Sequence, residues 1–172
     1  VDVKGKYHQK INQTLVSDHK WIDSHLGQLH ATYGKSPCFK QVWPLVEGWY
    51  RACDFNRLTQ VNVYFIQRIM EYLEIDTEIR FSSEFELAVD RTQRLLDICS
   101  EVGADVYYSG PAAKAYMDET KFEAKGVSVK YWDYSGYSEY PQGGQGFEHG
   151  VTILDMLFNL GPETKDYLKF AR

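Results

Sequence analysis

His149 comes two residues after Phe147 and just before an apolar segment, a position where an imidazole can act as general acid or base near neutral pH. Such chemistry is helped by a nearby carboxylate. One is available in Glu148, although adjacent residues point apart in extended chain, or in Asp155, the second catalytic candidate. Asp155 and Asn159 are four residues apart and share one helix face. Leu154, Leu157 and Phe158 are the core residues of that helix, and an Asp drawn toward them must be paired or hydrogen-bonded. Asp155 therefore has a competing structural role, tying down the segment before it. His149 reads equally well as an exposed loop residue or a helix-capping one. Tyr137, Tyr140 and Gln142 lie upstream in a glycine-rich stretch with Gln145, Phe147 and Glu148. Aromatic faces there need protein or ligand to pack on, and they stack on sugar rings and nucleobases. With Asn159 they make up the candidate substrate-binding set of this region.

A second constellation is Ser109-Gly110-Pro111, with Lys114 following. A strand ending there and a helix starting at Pro111 would place Ser109 and Gly110 where open α/β sheets bind ligands, with free N–H groups for an anion and the Lys114 charge beside it. The competing reading makes Ser109 only the helix cap. No GxGxxG or P-loop run occurs, so nothing identifies a dinucleotide or nucleoside triphosphate, and no cofactor is expected. His25 and His30 are five apart and do not face one another; with no CxxC and no HExxH, no metal site is expected. Cys99 reads as core. Cys38, beside Pro37, is the one thiol in a loop-like setting, without a histidine near it by local spacing.

The elements that must hold these groups fall into two parts. Asp18 is placed to cap a helix over about 19–34, with Trp21, Ile22, Leu26, Leu29 and Tyr33 on one side and Gly34 and Pro37 closing it. Phe39–Tyr50 is amphipathic and contains Pro44, which starts or kinks a helix. Leu58, Val61, Phe65, Ile69 and Tyr72 mark the face of a third helix. Beyond them the pattern alternates: a strand at Glu78–Ser82, a helix over about 86–102 ended by Gly103, a strand at Asp105–Tyr108, a helix from Pro111 ended by Gly126, and a strand at Val127–Tyr134. Ser135–Gly150 is a loop of about sixteen residues, and a terminal helix near Thr152–Leu160 stops at Gly161-Pro162. The predicted fold class is α/β: a helical N-terminal half packed on a small βαβαβ parallel-sheet unit with a C-terminal helix. The expected organisation is one domain over 1–172, with a helical part at 1–76 and a βαβαβ part at 77–172 that carries the aromatic loop 135–150.

The chain has 172 residues, a net charge of -5 and a charged fraction of 25%, values of an ordinary globular domain with no general hold on nucleic acid. Its aromatic fraction of 15% is the unusual figure. No apolar run is long enough for a transmembrane helix, and residues 1–10 are polar rather than signal-like. Three unpaired, widely spaced cysteines fit a reduced, cytoplasmic setting. The hydrophilic opening leads us to expect further chain before Val1.

Three stretches carry a family resemblance: YYSGPAAKAYMD at Tyr107–Asp118, YPQGGQGFEHGVTILDMLFNLGP at Tyr140–Pro162, and Trp21 with His25, Tyr33, Pro37 and Phe39. Over roughly 20–162 the chain resembles the WbqC-like family, whose proteins are encoded among bacterial surface-polysaccharide (O-antigen) genes. That family's opening block, resembling His-Gln-Pro-x-Tyr-x-Pro-Trp, has no counterpart here, since His8-Gln9 is followed by Lys10. The resemblance implies a role in surface-glycan biosynthesis: a transferase acting on a nucleotide-linked or lipid-linked sugar, or a non-catalytic binding or assembly protein of the same pathway. A hydrolase using Cys38 or Ser109 is a third option. The implied partner is a small-molecule or glycan substrate, a nucleotide-sugar among them, and the oligomeric state is left open. A site built from this chain is then expected to be part of a larger one.

Overall fold

A computed structural model describes residues 1, 4–6, 8–144 and 146–169. Gln145, named above with the loop, lies outside the described residues. The chain divides into two compact units, one formed by Val1–Asp76 with Tyr137–Arg172 and the other by Thr77–Gly136.

In the first unit, helices α1 (Lys20–Tyr33), α2 (Phe39–Ala52) and α3 (Leu58–Tyr72) bury one apolar face each. Leu26, Val42, Val46, Tyr50 and Leu73 meet Leu157 and Phe158 of the late helix, α6 (Ile153–Leu160), in one core. The ring of Phe158 stacks on Tyr33 at 4.8 Å and on Phe39 at 5.8 Å, so one aromatic of α6 joins α1 and α2. Asp18 does act at the start of α1, its Oδ1 accepting the Lys20 N–H at 2.8 Å. Pro44 neither starts nor stops α2; the helix continues through it. A proline there removes one i→i−4 bond, and the burial of Val42, Val46 and Tyr50 on either side offsets that loss.

In the second unit, α4 (Arg91–Val102) begins at a cap, Asp90 accepting the Gln93 N–H at 2.8 Å, and ends at Gly103 in the left-handed conformation with φ 65°. That cap sets its start later than the periodicity suggested. Strands β1 (Val106–Ser109) and β2 (Ser128–Tyr131) pair in parallel, Val106 opposite Ser128 and Ser109 opposite Tyr131. The connection is not one helix. Pro111–Ala115 forms a 3-10 turn, and a new helix, α5 (Glu119–Glu123), starts where Asp118 accepts the Thr120 N–H. Leu96, Cys99, Phe122 and Val127 form the core of this unit.

The α/β class stands, but the expected βαβαβ unit is a β-α-β one among the described residues. Glu78–Ser82 is not a strand. The Phe81 N–H, which a ladder would use, donates to Glu84 Oε1 at 2.9 Å, and Arg80 pairs with the same carboxylate at 2.8 Å while lying over the Phe85 ring. A local side-chain hydrogen bond thus competes successfully with sheet pairing. No described helix is long and apolar enough to cross a membrane.

Candidate functional site

Thr152 caps α6 by accepting the Leu154 N–H at 3.2 Å, and this sets the helix phase that turns Asp155 and Asn159 inward. Both are buried, at 8% exposure each. Asp155 Oδ1 accepts hydrogen bonds from the Tyr140 hydroxyl at 2.7 Å, from Gln142 Nε2 at 3.1 Å and from Asn159 Nδ2 at 3.3 Å. A carboxylate is an acceptor only, and the groups gathered on it are donors. Asn159 Nδ2 also donates to the Asp155 carbonyl at 2.9 Å, while its Oδ1 is buried without a hydrogen-bond partner among the described residues.

Gln142 uses both ends of its amide. Its Oε1 accepts the Glu148 N–H at 2.8 Å and its Nε2 donates to the Glu148 carbonyl at 3.0 Å, as an adjoining strand would. The segment between them is thereby closed into a loop, and the same Nε2 reaches the Tyr140 hydroxyl at 3.2 Å. Tyr140 packs edge-on against Phe147 at 5.0 Å and Tyr167 at 6.0 Å. Burial first, then the hydrogen bond to Asp155, pushes the Tyr140 phenol up to about 12. The Tyr33 phenol is also pushed up to about 12, by burial and then by the neighbouring Asp155 charge. Sequence reading placed Tyr33 only in the helix core. Its place on the apolar side of α1 is legible from spacing, but the Phe158 ring it stacks on and its hydroxyl's neighbour Asp155 both belong to a helix more than a hundred residues away.

Of the candidate residues, Tyr140, Gln142, Asp155 and Asn159 are brought together. His149 is not among them: it is exposed, its ring edge-on to Phe147 at 4.6 Å, and no ion pair joins it to a carboxylate among the described residues. Tyr137 stands nearby in sequence under the Lys169 ammonium, at 4.6 Å from the ring centroid.

Ser109, Gly110 and Lys114 belong to the second unit. Ser109 ends β1, buried, its carbonyl accepting the Trp132 N–H at 2.9 Å. The cap position falls to Gly110, not to Ser109, because the turn starts one residue later. That turn is five residues long, and so short a run aligns few peptide dipoles toward an anion. Lys114 lies over the Tyr131 ring at 4.8 Å, and Tyr131 donates its hydroxyl to Glu119 at 2.8 Å. The aromatic run from Tyr131 to Phe147, continuous in sequence, is shared between units: Tyr131, Trp132 and Tyr134 in one, Tyr137, Tyr140 and Phe147 in the other.

Cys38 sits at the start of α2, where its N–H donates to the Phe158 carbonyl at 3.0 Å and its Sγ lies 3.7 Å from the Asn159 carbonyl. These contacts describe a packed thiol at the α2–α6 junction. Among the described residues no group of three or more His, Cys, Asp or Glu side chains is placed to hold a metal ion.

The model of the WbqC-like protein family matches residues 1–167. The chain belongs to the WbqC-like family. Its Tyr140–Pro162 stretch, which carried the sequence resemblance, is thus the one that builds the Asp155 cluster. The chain is 37% identical over 172 residues to the uncharacterized protein Rv1507c of Mycobacterium tuberculosis (strain ATCC 25618 / H37Rv), a match that covers all of this chain and 74% of that protein. No solved structure matches it.

Proposed function

We propose that this WbqC-like protein acts in bacterial surface-glycan biosynthesis as a binding or assembly component, through the face formed by the Tyr137–Gly150 loop. One observation carries the preference for binding over catalysis. Of the two carboxylates offered to a catalytic His149, Asp155 is buried and already engaged by Tyr140, Gln142 and Asn159, and Glu148 accepts the Gly150 N–H at 2.6 Å without pairing with His149 among the described residues. The cluster holds the loop in shape and leaves His149 exposed against Phe147. A loop closed by its own glutamine presents a preformed surface, and preformed surfaces bind without the cost of ordering.

A transferase acting on a nucleotide-linked or lipid-linked sugar is the second reading. The specific point in its favour is that His149 stands accessible on a hydrogen-bonded loop, where a substrate could supply the missing polar neighbour. The two readings separate in a strain lacking the chromosomal copy, complemented with the wild-type chain or with His149→Ala. Under the binding reading, deletion alters the surface glycan and His149→Ala restores it as fully as wild type. Under the transferase reading, His149→Ala behaves like the deletion. An unaltered glycan in the deletion strain itself would overturn both.

A further inference from the structure

Trp21 and His25 lie one turn apart on α1, and their rings meet at 5.2 Å, edge to face. Tyr50 of α2 reaches both, at 5.7 Å from Trp21 and 6.0 Å from His25. Phe65 of α3 closes the group, 4.7 Å from Tyr50 and 6.4 Å from Trp21. These rings do not fill the space between the helices. They line a pocket of about 570 Å³, with Asp18 and Asn62 also in its wall. Small-molecule sites span about 300–1,000 Å³ and combine apolar walls with a few polar groups, and this pocket has that make-up. It shares no residue with the Asp155 cluster.

Its chemistry narrows the ligand. Among the described residues the lining, which includes Val1, holds no Lys or Arg side chain and does hold the Asp18 carboxylate, so its side chains disfavour a phosphate-bearing molecule. Asp18 is held in place by the Lys20 N–H at 2.8 Å. Flat aromatic walls suit the C–H face of a saturated ring, and Asp18, His25 and Asn62 suit its hydroxyls. We infer that this pocket binds an uncharged sugar ring. The choice of sugars rests in part on the glycan reading above; the pocket's size, walls and charge carry the rest.

The test is saturation-transfer NMR on the full chain with galactose, glucose and N-acetylglucosamine as probes, and with uridine and UDP as contrasts. At least one neutral sugar should give a saturable signal strongest at its ring C–H protons. His25→Ala and Asn62→Ala each remove an exposed polar side chain from the wall; each should weaken binding by about fivefold, the worth of one hydrogen bond. The inference is overturned if no neutral sugar binds, if both variants bind as wild type does, or if uridine or UDP binds and the sugars do not. Failure here leaves the loop-based reading intact, whereas an unaltered glycan in the deletion strain would overturn that reading and not this pocket.

Discussion

Asp155 is a buried acceptor surrounded by donors, and the consequences can be stated for single side chains. Tyr140→Phe removes the 2.7 Å donor while keeping the ring that packs on Phe147 and Tyr167. It should lower stability by about 1.5–3 kcal/mol, the range for a hydrogen bond to a charged group, as read from urea denaturation. The same variant carries a pH signature. Free phenols ionise near about 10, while Tyr140 and Tyr33 are held near about 12 in the folded chain. A raised value means that the folded state keeps its proton longer than the unfolded one. Their contribution is thus fully present below the unfolded value and is lost as pH climbs through the folded one. Thermal melts should weaken across that alkaline window, and Tyr140→Phe should flatten the fall. Tyrosinate absorbance should show one fewer late-ionising phenol.

At the scale of elements, the α6 terminus is a tight joint in the first unit. Gly161 has φ 57° and ψ -129°, a conformation open to glycine and strained for other residues. A Cβ there would also come within 3.0 Å of Cys38 Sγ. Gly161→Ala should therefore destabilise by roughly 1–3 kcal/mol, and adding Cys38→Ala should recover the part due to contact and not the part due to φ. Thermal denaturation of the single and double variants gives the split. Elements also show where sequence patterns were readable. The α1 and α3 faces, the Gly103 stop and the terminal helix followed from spacing, because burial and end signals are local. Glu78–Ser82 has strand composition, yet Glu84 captures the Phe81 N–H, and a four-residue contact decided against pairing.

For the whole molecule, the division into two compact units with separate cores makes a prediction about cooperativity. Phe122 is fully buried in the second core, and truncating such a ring costs about 3–5 kcal/mol. In Phe122→Ala, amide exchange should accelerate throughout 77–136 while 1–76 and 137–169 keep their protection; uniform acceleration would mean that the two units unfold as one. The split also bears on the candidate sites, since residues of the Ser109 turn and of the Asp155 cluster belong to different units.

The sequence alone determined the helical first part, the parallel α/β character, the family resemblance and the helix face that Asp155 and Asn159 share. Each depends on periodicity, on a cap or on motif identity, all of which are local. Only the tertiary structure decided that Asp155 is engaged by Tyr140 and Gln142 and not by His149, that Tyr33 neighbours the same carboxylate, and that Trp21, His25, Tyr50 and Phe65 surround a cavity. These pairings join side chains from segments far apart in the chain, where partners are chosen by packing and by the need to satisfy buried polar groups, not by spacing.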